Sequence, residues 1–394
     1  MRIGVPKETY ATERRVALVP AAVAPLKKAG ADVLVESGAG VGSGVSDNAY
    51  TEAGATIVAT RAELLTNADI LVQVRGLGAN PEGWRTDLDA MHQDQLLVAV
   101  MDALASPEPL KDAMTKGITA FALDMVPRIS RAQAMDVLSS QANLAGYCAV
   151  LLGASSLPKI MPMLMTAAGT ITPAKVLVMG AGVAGLQAIA TARRMGAVVS
   201  GYDVRPAAKE QIESLGARAV ELPIPTEQSQ DAGGYAKAMD AAFYAKQAEL
   251  LTQVVSESDI VITTAAVPGQ KAPVLVSTAM VERMQPGSVV VDIAAERGGN
   301  CELTVPGQSI LHNGVMVIGP LNLASTVPVH ASRLFSKNIS TFLLNMIKKG
   351  ELLIDLEDEI IRETMLTHKG AITNARVGER LGIAPPAAQA QKEN

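Results

Sequence analysis

Short, nearly continuous Val/Ile/Leu runs alternate with amphipathic runs along most of the 394-residue chain. In the first third, runs at 2–6, 32–36, 69–74, 96–100 and 118–123 predict strands. Helix-like stretches at 20–29 and 107–116 lie between them, the former closed by Gly30. A second series of strands is predicted at 175–180, 197–203, 217–222, 259–264, 288–293 and 315–319. Continuous rather than alternating apolar positions are what parallel strands covered on both faces require. Two successive βαβ series predict an α/β protein of two doubly wound, Rossmann-like domains joined by long crossing helices. One such helical pattern runs over 130–154, and a second over 332–349 returns the C-terminus to the first domain. The expected boundaries are 1–136 plus 327–383 for the first domain and 137–326 for the second. A tail of linker composition at 384–394 is expected to be disordered. The stretch 223–234, PIPTEQSQDAGG, is long and polar for a connection inside such a sheet, as functional or mobile loops are.

Composition narrows the function. At roughly 150 residues per domain the length suits two domains, each with its own core. A net charge of −5 leaves no basic surplus for nucleic acid or an anionic membrane surface. Cys148 and Cys301 lie far apart and in no metal-ligand spacing, so no metal is expected and a reducing, intracellular compartment is. The start, MRIGVPKE, turns charged at Lys7 and lacks the apolar core of a signal peptide. No stretch reaches about 18 uninterrupted apolar residues, so direct membrane insertion is not expected. Aromatic residues make up only 3%, which disfavours a surface for stacking bases or sugars.

The sharpest motif is Gly180-Ala-Gly182-Val-Ala-Gly185. It follows the predicted strand KVLVM, opens the predicted helix LQAIATARRM, and is followed by Asp203, about 20 residues on, at the end of the next strand. Glycines there let the backbone turn tightly and approach a pyrophosphate, whose charge rests on N–H groups at the helix start. Asp203 would accept hydrogen bonds from both hydroxyls of the adenosine ribose and repel a 2′-phosphate, favouring NAD(H) over NADP(H). Arg205, two residues on, weakens that preference. The strand VITTAAVPG (261–269) runs into a Pro-Gly loop at a carboxyl edge of the same sheet, where ligands bind.

A polar cluster lies on the predicted connecting helix, in PRISRAQAMDVLSSQ (127–141). Helical spacing puts Gln133, Asp136 and Ser140 on one face, with Arg128 just before them. A carboxamide is donor and acceptor, like that of nicotinamide, so Gln133 could fix the ring, with Arg128 and Asp136 paired to hold it. The alternative is a solvated helix start capped by Ser130, with an ordinary Arg–Asp pair. Spacing leaves both open.

These segments also carry a family resemblance. MPRISRAQAMDVLSSQANLAGY, MTAAGTITPAKVLVMGAGVAGLQAIATARRMGA, DAGGYAKAM, TTAAVPG and VVVDIAAERGGNCELT, with RIGVPKE and RRVALVP, closely resemble the NAD(H)-binding component of proton-translocating nicotinamide nucleotide transhydrogenase. The likeness runs from residue 1 to about 320. It implies that Arg128, Ile129, Ser130, Gln133, Ala134, Met135 and Asp136 form a loop beside the nicotinamide, with Ser139 following. It further implies that Gly180, Gly182, Val183, Ala184 and Gly185 take the pyrophosphate, and that Asp203, Val204 and Arg205 take the ribose end. Gly234 and Tyr235 match a mobile loop that closes over nucleotide, and Gln247 and Ala266 match further contacts. The activity implied is NAD(P)+ transhydrogenation of the Re/Si-specific type, with hydride passing from NADH to NADP(H) bound on a partner subunit. A homodimer, and separate NADP(H)-binding and membrane-embedded subunits at the cytoplasmic face of the inner membrane, are implied with it.

More distantly the chain resembles alanine dehydrogenase, which shares the two-domain plan. Those enzymes use a lysine after the third strand and a histidine after the fourth for acid–base work. The corresponding stretches here, 71–75 and 97–103, hold Gln73 and Arg75 and neither catalytic residue. Arg14 or Arg15 still matches the substrate-binding arginine, so a vestigial pocket is conceivable. A third alternative is a non-catalytic NAD-sensing module.

Overall fold

A computed structural model describes residues 1–222, 241–267 and 269–383. They form two compact units, Met1–Gln141 with the chain from Val327 on, and Ala142–Thr326.

In the first unit six parallel strands lie side by side in the order Thr56–Val58, Asp32–Glu36, Arg2–Val5, Ile70–Arg75, Leu96–Val100 and Thr119–Ala122. Chain order reverses between Arg2–Val5 and Ile70–Arg75. Met365–His368 adds antiparallel to Thr119–Ala122, and Ala371–Ile372 closes that edge. Alternate strand residues enter opposite layers: Ile3, Val72 and Phe121 pack with Leu26, Phe335 and Phe342, whereas Leu71, Leu97 and Ala120 pack with Leu64, Leu110 and Val377. The helix Pro328–Met346 opens on proline, whose missing N–H costs nothing there, and buries Phe335, Ile339, Phe342 and Met346. Its buried Ser332 and Ser336 hydroxyls accept the N–H groups of Val16 and Val19 at 3.1 and 3.0 Å, so they stay satisfied.

The second unit carries a seven-stranded sheet in the order Arg218–Ala219, Val198–Tyr202, Lys175–Met179, Ile260–Thr263, Val289–Asp292, Val315–Ile318, Ser309–His312. All pairs are parallel except the last. Here the chain order reverses between Lys175–Met179 and Ile260–Thr263. Both sheets match the doubly wound α/β class expected from the sequence.

Three local expectations change. The helix predicted over 130–154 is a 3-10 turn, Ser130–Met135, followed by the helix Val137–Ser156, with Asp136 extended between them. An aspartate that bonds forward to backbone N–H groups stabilises a break of this kind. The strand predicted at 217–222 shortens to Arg218–Ala219. Strands at Thr56–Val58 and Met365–His368, and a hairpin Leu164–Thr166/Gly169–Ile171 exposed throughout, had no strong apolar run to announce them.

Val137–Ser156 is the one described helix long and apolar enough to cross a membrane by length and composition. It lies instead on the second sheet. A methyl on Gly146 would be driven into the Ala184 carbonyl, and one on Gly153 would stand 3.1 Å from Ile260 and 3.4 Å from Val291. The tail 384–394 and the loop 223–234 lie outside the described residues.

Candidate dinucleotide-binding site

The glycine turn sits where the second sheet reverses its strand order, at the carboxyl ends of Lys175–Met179 and Ile260–Thr263, the crevice in which doubly wound proteins hold ligands. Its glycines do three different things. Gly180 turns with φ +99° and donates to the Tyr202 carbonyl at 2.8 Å, while its own carbonyl accepts the Thr264 hydroxyl at 2.9 Å. Gly185 packs so closely that an added methyl would penetrate the Gly180 carbonyl oxygen. Around Gly182 a methyl would meet nothing within 4 Å. That is the open side on which a diphosphate can lie. Gly182 caps the helix Val183–Arg194 without a side chain, so the first-turn N–H groups of Val183, Ala184 and Gly185 have no acceptor within their own helix. The turn therefore fits a pyrophosphate.

Asp203 follows the strand Val198–Tyr202 and binds the turn from the side. One carboxylate oxygen accepts the Ala181 N–H at 2.6 Å and the other the Arg205 N–H at 2.9 Å. The Arg205 guanidinium adds bonds of 2.8 Å to each oxygen, and the pair is largely withdrawn from solvent, with side-chain exposures of 6% for Asp203 and 19% for Arg205. Those hydrogen bonds to Asp203 raise the guanidinium's pKa further. Sequence placed Arg205 as a possible phosphate ligand, but the structure turns it onto the neighbouring carboxylate.

The opposite wall is organised by two residues that the sequence reading did not single out. Asp292, buried at the end of Val289–Asp292, accepts from Thr263 Oγ1, Thr304 Oγ1 and the N–H groups of Ala294, Asn300 and Cys301 at 2.6–3.0 Å. Asn300, buried beside it, accepts the Ala265 N–H at 2.9 Å and donates to the carbonyls of Ala265 and Pro273 at 2.8 and 2.7 Å. Together they fix the loop carrying the exposed Ala266. A carboxylate ending the otherwise apolar run VVVD was the available signal. Gln247 is buried with its amide on the Tyr202 hydroxyl at 2.6 Å, so its side chain supports the strand end behind the turn. Gly234, Tyr235 and Pro268 lie outside the described residues.

In the first unit, Ser130–Met135 is rooted by Ala132 and Met135, which are buried in the core. Residues three apart eclipse in a 3-10 turn, so Ser130, Gln133 and Asp136 share the other row, and Arg128, Ser130, Gln133 and Ala134 are exposed. The Asp136 carboxylate accepts the Ser139 N–H and hydroxyl at 2.8 and 2.5 Å. It therefore begins the helix Val137–Ser156, where the sequence had offered Ser130 as the cap. Ser140 leaves the expected shared face and donates to Asn338 at 2.7 Å.

The vestigial-pocket residues form a buried charge cluster. Arg15 holds Glu13 through Nε and Nη2 at 2.7 and 2.6 Å and donates to Gln141 at 2.9 Å. Arg75 reaches Glu13 at 3.3 Å and lies 4.5 Å over the Tyr10 ring. Burial pushes Glu13 up, but the bonds and charge of Arg15 and Arg75 prevail and hold it at about 2. Glu8 accepts the Val74 and Arg75 N–H groups at 2.6 and 3.2 Å, yet burial and the charge of Glu13 push it up to about 8. Gln73 is buried and donates to Asp87. The cavity beside Gln73, Arg75, Asn80 and Trp84 is about 10 Å³, room for about one water.

Fold and turn together define the doubly wound class that carries a dinucleotide fingerprint. The family model for the alanine dehydrogenase/PNT N-terminal domain matches residues 4–145, and that for the C-terminal domain matches 149–375. The chain belongs to the alanine dehydrogenase/PNT family. It is 47% identical over 378 residues to the first portion of the split NAD(P) transhydrogenase subunit alpha of Rhodospirillum rubrum, covering 95% of this chain and 98% of that one. The crystal structure of transhydrogenase from Sinorhizobium meliloti is similar with a TM-score of 0.84 at 44% identity, covering 94% of this chain and 100% of that one. A solved L-alanine dehydrogenase gives a TM-score of 0.79 at 27% identity, covering 97% and 99%. The transhydrogenase branch is thus more similar than the dehydrogenase branch in both sequence and structure.

Proposed function

We propose that this chain is the NAD(H)-binding subunit of a proton-translocating transhydrogenase, exchanging hydride between NAD(H) and NADP(H) held on a partner subunit. The observation that carries this is the glycine turn at the strand-order reversal, with an open side at Gly182 and Asp203 beside it. The bound nicotinamide supplies the hydride chemistry. The residues of the chain have three tasks: to hold the diphosphate at the N–H groups of 182–185, to select the ribose, and to orient the ring. Asp203 selects against a 2′-phosphate by charge. Gln133 orients the nicotinamide carboxamide, with Arg128, Asp136 and Ser139 setting its loop. Ile129, Ser130, Ala134, Met135, Val204, Gln247 and Ala266 complete the nucleotide's surroundings, and Gly234 and Tyr235 close over it.

Direct hydride exchange moves no proton at the reacting carbons, so it needs alignment and exclusion of water rather than an acid–base pair. This agrees with Gln73 and Arg75 standing where the amino acid dehydrogenases place a lysine, and with Arg15 engaged by Glu13. The assembly expected is a homodimer attached through NADP(H)-binding and membrane-embedded subunits to the cytoplasmic face of the inner membrane. Mixing the chain with the NADP(H)-binding subunit and following NADH-dependent reduction of NADP+ tests the assignment. Transfer is expected only with both chains present, and its absence under saturating nucleotide would favour a sensing module.

A further inference from the structure

A six-residue 3-10 turn has poorly aligned hydrogen bonds of its own, so an exposed Gln133 keeps a defined direction only if the turn is held from outside. The returning C-terminal segment does this on both sides of Gln133. On one side, the Arg131 guanidinium makes two bonds of 3.0 and 2.5 Å to Asp358. Asp358 is itself fixed, because it accepts the Asn345 amide at 2.9 Å and caps the helix Glu359–Thr364 through the Ile360 N–H at 2.8 Å. On the other side, the buried Asn338 donates to the Ala134 carbonyl at 2.8 Å and accepts the Ser140 hydroxyl at 2.7 Å. A carbonyl only accepts, so the Asn338 amide nitrogen must face Ala134, and its oxygen is left for Ser140. One side chain thereby ties the turn to the first turn of the helix Val137–Ser156.

We propose that Asn338 is a positioning residue for Gln133, with Arg131–Asp358 as a second clamp, so that the last 60 or so residues set the direction of the nicotinamide-orienting amide. This rests on the role assigned to Gln133 above. A misplacement of about 1 Å costs up to about 100-fold in rate, so a loosened turn should slow transfer with little effect on affinity, most of which comes from the diphosphate and ribose contacts.

The test is a double-mutant cycle on the full chain with its NADP(H)-binding subunit, measuring the transfer rate at saturating NADH and the Kd for NADH. Asn338→Ala should lower the rate about tenfold or more while Kd moves by less than about threefold. In a Gln133→Ala background the same change should alter the rate by less than about twofold, because no amide remains to be placed. An undiminished loss in that background, with Gln133→Ala itself slow, overturns the positioning role while leaving Gln133 in place. Wild-type transfer by Gln133→Ala overturns the nicotinamide role first, and this proposal with it. Arg131→Ala, at an exposed side chain that folding does not need, repeats the cycle should Asn338→Ala fail to fold. It should lose about threefold in wild type and nothing further without Gln133, and an equal loss in both backgrounds overturns the clamp.

Discussion

Two glycines three residues apart should fail in opposite ways when each becomes alanine. At Gly182, φ is −76° and a methyl meets no protein atom within 4 Å, so the folded chain has room for it. The remaining cost is the poorer helix cap, about 0.5–1 kcal/mol. The methyl would, however, occupy the side on which a diphosphate must approach the backbone. Loss of that approach should weaken NADH binding at least 100-fold, about 2.7 kcal/mol. At Gly185 the methyl would overlap the Gly180 carbonyl oxygen, a backbone atom fixed by the Thr264 hydroxyl at 2.9 Å. Helix and strand must separate, at about 1–3 kcal/mol for an overpacked site or more. At about 2–4 °C per kcal/mol this lowers Tm by several degrees. Calorimetric titration with NADH and thermal melts on the two variants separate the effects: Gly182→Ala should melt near wild type and not bind, whereas Gly185→Ala should melt early. Wild-type affinity in Gly182→Ala would refute the placement of the diphosphate.

Three other substitutions probe different regions of the chain. Asp203→Ala should narrow the preference for NADH over NADPH by about tenfold or more, read as a ratio of Kd values, and unchanged selectivity would move that role elsewhere. Gln133→Asn shortens the orienting amide by one methylene and should slow hydride transfer far more than it weakens NADH binding, whereas equal losses would contradict an orienting role. Glu8→Gln should flatten the pH dependence of stability. Folding raises the Glu8 pKa from 4.5 to about 8 by burial and by the charge of Glu13, so the native chain keeps a proton that the unfolded chain has lost. Its contribution is complete below about pH 4.5 and lost as pH rises through about 8. Glu13, held at about 2, acts only at the acid end, so melts between pH 5 and 8 should show the wild type falling more steeply than Glu8→Gln. Parallel curves would refute the proton on Glu8.

Much of this was legible in the sequence because parallel strands buried on both faces leave an unbroken apolar run. KVLVM and VVVD each announced their strand, and GAGVAG in its strand–helix context announced the turn. Strands held by their neighbours rather than by composition were not legible. Met365–His368 joins the first sheet only because the chain returns to Thr119–Ala122 across 240 or so residues. The break at Asp136 was hidden for a related reason. Apolar spacing runs through it, and only the carboxylate's bonds to Ser139 reveal a cap. The clamp on Gln133 joins residues about 200 apart in sequence, which no local pattern encodes.

The central claim is a dinucleotide held by the backbone at 182–185 and by the carboxylate at 203. Isothermal titration of the purified chain with NADH and then NADPH tests it most directly. Saturable binding of NADH, at least tenfold tighter than NADPH, is the expected result. No heat with NADH or NAD+ at millimolar concentration from folded protein would contradict it.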